Sequence, residues 1–203
     1  MLITNFKTHI TTPIKGCIHI GAHHGEEKQI YVENNINNVI WIEANPEYEN
    51  IIKEKTNNED LVIIRGVGNT KRTVNFNISN NGQSSSILDL ELHKVMHPDV
   101  FYVKSIEINE DRMVNIIDEF GINIDDYNFL NLDIQGYELE AIKGFDTLIQ
   151  KFDYIYTEVN SGPLYSNCAL ISDIDDYLSN YGFIRIETSM TPYSWGDAIY
   201  VKK

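Results

Sequence analysis

Residues 17–27 read CIHIGAHHGEE, an apolar run that meets a glycine, two histidines and a second glycine before turning acidic. Short buried strands give such runs, and small residues at their ends let the backbone turn close to a ligand. Gly21, Ala22 and Gly25 fall where a first strand over 15–20 would turn into a helix over about 25–33, whose free amides would face that ligand. Strand alternation puts Cys17 and His19 on one face and Ile18 and Ile20 on the other. A zinc site on His23 and His24 is the competing reading, but two adjacent histidines match no standard ligand spacing. A histidine beside a cofactor, or one simply solvated, is the alternative.

Outward from this stretch the rhythm repeats. NNVIWIEA places a second strand at about 38–43, Pro46 suits the first turn of a helix, and LVIIRGV (61–67) reads as a third strand. Strands alternating with helices indicate a parallel sheet with crossover helices. The middle is less regular: RTVNFNIS (72–79) alternates like an edge strand and FYVKSIEIN (101–109) suggests another. Residues 70–109 therefore read as an inserted strand and loop region of a single domain spanning 1–203. DRMVNIIDEFG carries Met113, Ile116, Ile117 and Phe120 at helical spacing, and YNFLNLDI (127–134) returns as a buried strand. A helix over 137–148, the strand DYIYTEV, the helix SDIDDYLSNYG and two closing strands, GFIRIETS and GDAIYVK, complete an α/β pattern.

Composition narrows the partners. Thirty acidic against sixteen basic residues give a net charge of −14, which opposes a nucleic-acid or anionic-membrane surface but not a small ligand. Two cysteines, Cys17 and Cys168, are too few for a disulfide framework. No stretch approaches the ~20 apolar residues of a membrane span, and the N-terminus lacks a signal-peptide core, so a cytoplasmic setting is expected.

Ligands of open α/β sheets bind beyond the carboxyl ends of the strands. Glu43, ending the second strand, is placed to accept hydrogen bonds from a ribose diol. GAHHG lacks the second close glycine approach that a dinucleotide pyrophosphate needs. One glycine turn and one acidic acceptor suffice for S-adenosylmethionine, so methyl transfer ranks above hydride transfer.

At this point HIGAHHG, VIWIEANPEYENII, GVGN, GQSSSI, NFLNLDIQGYELEAIKGF and YIYTEV, in that order, carry a resemblance to the FkbM family of S-adenosylmethionine-dependent methyltransferases over about residues 15–201. The resemblance implies a Rossmann-like class I methyltransferase fold: a seven-stranded, mostly parallel sheet with the last strand antiparallel and helices on both faces. It implies O-methylation of a hydroxyl of a sugar or of a polyketide-type natural product, and the expected acceptor is a sugar hydroxyl of a glycan or small molecule. The cofactor would be held by Gly21, Ala22, His23, Gly25, Glu43, Ala44, Gly66, Val67, Gly68 and Asp133. Ser84, Ser85 and Ser86 match a serine-rich loop near the active-site mouth. Asp133 and Glu158 match acids at neighbouring strand ends, and His19, His23, Asn131 and Gln135 stand where the family commonly has aspartate, asparagine, lysine and glutamate.

Methyl transfer to an alcohol needs alignment and a group to take the hydroxyl proton. Asp133, Glu158 and His24 are the candidate bases, and Asp133 with Glu158 could instead hold Mg²⁺ or Mn²⁺. NSGPLYSNC and SMTPYSWGD offer Asn160, Tyr165, Tyr193 and Trp195 as an acceptor rim, and His93 and His97 could contribute. The departures from the family pattern leave a non-catalytic binding module as the alternative function, with an oxidoreductase behind it.

Overall fold

A computed structural model describes residues 7–57 and 60–203. The expectation about a leader segment falls partly on residues 1–6, which lie outside the described residues. The chain folds around a seven-stranded sheet of order β3-β2-β1-β7-β8-β10-β9. Its strands are β1 (Cys17–Ile20), β2 (Val39–Glu43), β3 (Leu61–Ile64), β7 (Phe129–Leu132), β8 (Tyr154–Asn160), β9 (Phe183–Met190) and β10 (Trp195–Lys202). β1, β2, β3, β7 and β8 pair in parallel, and β10 runs antiparallel to both β8 and β9. This is the sheet that the resemblance implies.

The strand faces sort by alternation. Ile18, Ile20, Ile40, Ile42, Leu130 and Leu132 enter one core, and Cys17, Val39, Trp41 and Phe129 enter the other. The first core is covered by α4 (Met113–Glu119), α5 (Glu138–Gly144) and α6 (Ile171–Ser179) through Met113, Ile116, Ala141, Ile142, Ile174 and Leu178. The second is covered by α1 (Lys28–Glu33) and α2 (Glu49–Lys55) through Tyr31 and Ile52. Both faces are therefore buried, which is why the central strands read as near-continuous apolar runs. Among the described residues no helix is long and apolar enough to cross a membrane.

Three expectations are corrected. The run LVIIRGV is not one strand. β3 stops at Ile64, and β4 (Gly66–Gly68) joins β5 (Arg72–Ser79) and β6 (Tyr102–Arg112) in a second sheet of order β4-β6-β5. Gly66 packs closely on β6, where a Cβ would lie 2.9 Å from Ile108 Cδ1. Residues 70–109 are thus most of a separate three-stranded sheet, with the four-residue helix α3 (His93–Met96) in the connection between β5 and β6. The first helix begins at Lys28, not Gly25, since Gly25 has φ +67° and its amide turns back to the Ala22 carbonyl at 2.7 Å. The helix expected over 137–148 ends at Gly144, followed by a 3₁₀ segment over Asp146–Lys151.

Candidate active site

Chain order reverses between β1 and β7, which neighbour each other while their successors spread in opposite directions. That switch point opens a crevice beyond the strand ends. Gly21 leaves β1 with φ +90°, and a Cβ there would sit 1.8 Å from the Asp133 carbonyl oxygen. Only a glycine lets the two strand ends meet this closely.

Glu43 ends β2 and is 6% exposed. The amides of His23 and Asn45 donate to its two carboxylate oxygens, each at 2.8 Å. About half of the carboxylate's roughly four acceptor sites stay available for a ligand. Burial pushes its pKa up to about 7, against the pull of those backbone donors. His23 reaches Glu43 from the left-handed region, φ +45°. Asparagine and histidine are among the non-glycine residues most often found there, so the exchange at this position is conformationally mild.

Two clefts share this corner. A narrow one, about 60 Å³, is lined by Gly21, His23, Glu43, Ala44, Gly66, Val67 and Asp133 of the expected cofactor set. The second sheet and its loop complete it with Phe76, Gln83, Ser85 and Ile87, and Tyr48, Arg65 and Tyr137 also line it. Ala44, Phe76 and Ile87 belong to one apolar cluster and give the narrow cleft an apolar wall. A wide cleft of about 460 Å³ is lined by Glu26, Glu27, Ser84, His93, His97, Glu158, Tyr165, Trp195 and Asp197 among others. Gly21, His23, Gln83, Asp133 and Gln135 line both.

Gln135 lies between Asp133 and Glu158 and bonds to both. The Gln135 amide nitrogen donates to Asp133 at 2.7 Å and to Glu158 at 2.9 Å. Tyr165 donates to its amide oxygen at 2.6 Å. An ionised glutamate at this position could not donate to either acid, so the departure at Gln135 supplies a clip. Gln135 has φ +57°, and its carbonyl accepts from the Ser86 hydroxyl at 2.8 Å. Burial raises the pKa of Asp133, and raises Glu158 well above the usual range with help from Asp133, Glu138 and Asp197.

The other two departures also prove to be linked. His19 and Asn131 face each other in register across β1 and β7. The Tyr31 hydroxyl lies 3.0 Å from His19 Nδ1 and accepts from Asn131 at 2.6 Å. Burial lowers the His19 pKa to about 3, so the ring is neutral. The positions where the resemblance implies aspartate and lysine here share a neutral network beneath the site, and His19 lines neither cleft.

Other sequence candidates lie elsewhere. His24 is not among the residues that line either cleft; its ring stacks on His23 at 3.9 Å and meets Tyr48 edge-on at 4.4 Å. Ala22 is buried behind the turn, Gly25 shapes it, and Gly68 packs against Glu110 and Tyr137. Ser85 lines the narrow cleft, not the acceptor side, and Ser86 braces Gln135. Asn160 is fully buried and Tyr193 is 47% exposed; neither lines a cleft. Among the described residues one group of three side chains has metal-ligand spacing, His23, His24 and Glu26; the expected pair Asp133 and Glu158 is not in it.

Sequence reading missed Glu27, Gln83, Phe76, Tyr137 and Asp197. Asp197 was legible in principle, as the inward position two residues after Trp195 on a strand. Phe76 was not, because only the second sheet brings it over the cofactor cleft.

S-adenosylmethionine fits the donor set: an acid with free acceptor sites for a diol, an apolar slot for a base, and a turn whose glycine admits no Cβ. A family model described as a methyltransferase FkbM domain matches residues 19–185. No curated protein matches the chain in sequence. Among solved structures, the magnesium protoporphyrin IX methyltransferase of Synechocystis PCC 6803, with bound S-adenosylmethionine, superposes with a TM-score of 0.52 at 11% identity, covering 100% of this chain and 76% of that one. The precorrin-6y C5,15-methyltransferase of Geobacter metallireducens GS-15 gives 0.51 at 12% identity, covering 100% and 86%. These likenesses establish the fold, and the family match over most of the length establishes descent: the chain belongs to the FkbM family of S-adenosylmethionine-dependent methyltransferases.

Proposed function

We propose that the protein methylates a hydroxyl of a carbohydrate acceptor. The observation that carries this reading is the meeting of the two clefts at Asp133, where an apolar slot opens into a wide polar one. When bound, S-adenosylmethionine supplies an electrophilic methyl group. The chain's task is to orient a hydroxyl oxygen toward that methyl and to take its proton as the new bond forms and the bond to sulfur breaks.

Asp133 is the proposed base. It lines both clefts, and Gln135 fixes its carboxylate. Burial raises both carboxyls, and two acids that share one amide donor ionise in turn, so the pair titrates as a unit. The amide clip takes one oxygen of each acid, Asp133 Oδ1 and Glu158 Oε2, and the reading routes no step through a metal.

Acceptor class follows from charge. The carboxylates of the wide cleft repel a phosphodiester chain, whereas sugar hydroxyls can donate to them. The test is incubation with S-adenosylmethionine and parallel panels of neutral oligosaccharides, aminated oligosaccharides and RNA, read by mass spectrometry. Methyl groups on sugar oxygens are expected, whichever sugar class carries them. Methylated RNA with both sugar classes untouched would overturn the reading.

A further inference from the structure

His23, His24 and Glu26 stand together in the turn between β1 and α1, and each offers one ligand atom within 4.8 Å of the other two. The sequence alone shows a pair of adjacent histidines; the fold supplies the third ligand. His23 Nδ1 lies 2.7 Å from Glu26 Oε1, and His24 Nδ1 lies 3.6 Å from the same oxygen. Tetrahedral zinc holds nitrogen and oxygen at about 2.0–2.2 Å, which sets neighbouring ligand atoms about 3.3 Å apart. The two separations lie on either side of that spacing, so a small movement of each side chain closes the site.

Contacts other than those an ion would make already orient the three side chains. The His24 amide donates to Glu26 Oε2 at 3.0 Å, which leaves Oε1 turned toward the imidazoles. The two rings stack at 3.9 Å, and Tyr48 meets both edge-on, at 4.9 Å from His23 and 4.4 Å from His24. A Cβ on Gly82 would lie 3.1 Å from His23 Nε2, so the loop before the three serines closes on the far side of that ring. Outer contacts of this kind fix ligand orientation in metal sites. All three side chains are partly exposed, which gives an ion a way in from solvent.

Two imidazoles and one carboxylate suit zinc and its borderline neighbours, whereas magnesium and calcium prefer oxygen donors throughout. On binding, the ion takes the place of the proton shared between His23 Nδ1 and Glu26 Oε1, and that proton passes to solvent. The position matters because the His23 amide donates to Glu43 at 2.8 Å. An ion joining residues 23, 24 and 26 therefore staples the turn that holds the ribose acid.

We infer that His23, His24 and Glu26 bind one zinc ion, with water completing its coordination. No step of methyl transfer is assigned to the ion, and the site stands or falls apart from the acceptor class proposed above.

The untagged protein, stripped with a chelator and moved into chelator-free buffer, is titrated with Zn²⁺ by calorimetry. One ion per chain is expected. E26Q, an isosteric change at a partly exposed side chain, and H24N should each weaken binding by more than the about 10–100-fold that loss of an outer partner costs. H23N should do the same, since asparagine tolerates the φ of +45° at this position. H97A should leave zinc affinity unchanged, because His97 packs on His93 in the wide cleft and touches none of the three ligands. Mg²⁺ should bind far more weakly than Zn²⁺. Co²⁺ in place of zinc should give the intense visible absorption of a four-coordinate site, and H24N should abolish it. Zinc should raise the melting temperature of the unsubstituted protein but not of E26Q, while the two melt alike in chelator. Absence of zinc binding would overturn the inference. So would full affinity in E26Q and H24N, loss of binding in H97A, Mg²⁺ binding as tight as zinc, or a cobalt spectrum no different from that of the free aqueous ion.

Discussion

The two clefts share five residues and are built on opposite plans. The narrow one is a backbone device: Gly21 brings β1 against β7, and the amides of His23 and Asn45 hold Glu43. Apolar residues from the second sheet roof it. The wide one is a side-chain device, in which carboxyls, imidazoles and aromatic rings face a space several times larger. Backbone geometry survives side-chain exchange, and this explains how His23 can stand where the family commonly has asparagine without disturbing the cofactor corner. Side-chain devices change with each substitution, so acceptor choice is where this chain can differ from its relatives.

The comparison breaks first at Asp133, which lines both clefts but is assigned proton transfer. D133N should lower turnover by about 10²–10⁴-fold. Calorimetric affinity for S-adenosylmethionine should hold within a few-fold. Turnover close to the unsubstituted protein's would move the base to Glu158; a parallel collapse of cofactor affinity would mean that Asp133 belongs to the narrow cleft alone.

Glu43 tests the other side. E43A should weaken cofactor binding by about tenfold to a hundredfold, as for loss of hydrogen bonds to a charged acceptor. Acceptor binding should be spared, with the thermal transition intact. An unchanged cofactor affinity in the folded variant would remove Glu43 from the ribose site.

The smallest effect is on stability, and its sign is opposite to that of an ordinary salt-bridged carboxylate. Burial raises Glu27, Glu43 and Glu138 to about 7. The folded protein then binds protons more tightly than the unfolded chain. The stabilisation is complete below the unfolded value of about 4.5 and is lost as pH rises through about 7. Asp111 and Asp175 are lowered by their partners and act the other way, losing their contribution as pH falls through their folded values. The melting temperature should therefore peak in mildly acidic buffer and drop by several degrees toward alkaline pH, at about 2–4 °C per kcal/mol. E158Q should flatten that slope more than E43Q, because the crowding lies on the acceptor side. Equal slopes in both variants would show that the two clefts are electrostatically alike.

Much of the fold was legible because both sheet faces are covered. Buried strands such as CIHI, VIWIE and FLNL print as apolar runs, and the intervening polar residues print the turns. The glycine turn, Glu43 and Asp133 were legible for a related reason: strand ends of a parallel sheet converge on one edge whatever the details. The run LVIIRGV misled because apolar character is the same on either side of Arg65, and only pairing with β6 tells that the chain has changed sheets. His24 looked as well placed as His23 because they are adjacent. The left-handed turn at His23 turns one ring into the clefts and leaves its neighbour stacked outside.

The sequence by itself determined the sheet, the cofactor corner and the acids at the strand ends, since periodicity and turn chemistry are local properties. Tertiary structure alone decided what those residues touch. It joined His19 to Asn131 through Tyr31, residues that lie 100 or more positions apart in part, and set Gln135 between Asp133 and Glu158. It carried Phe76 over the cofactor slot and gathered Glu27, Glu158 and Asp197 around one cleft. Contacts such as Asn131 with Tyr31 and Gln135 with Glu158 depend on register and crossover between segments far apart in the chain, which local sequence patterns do not record.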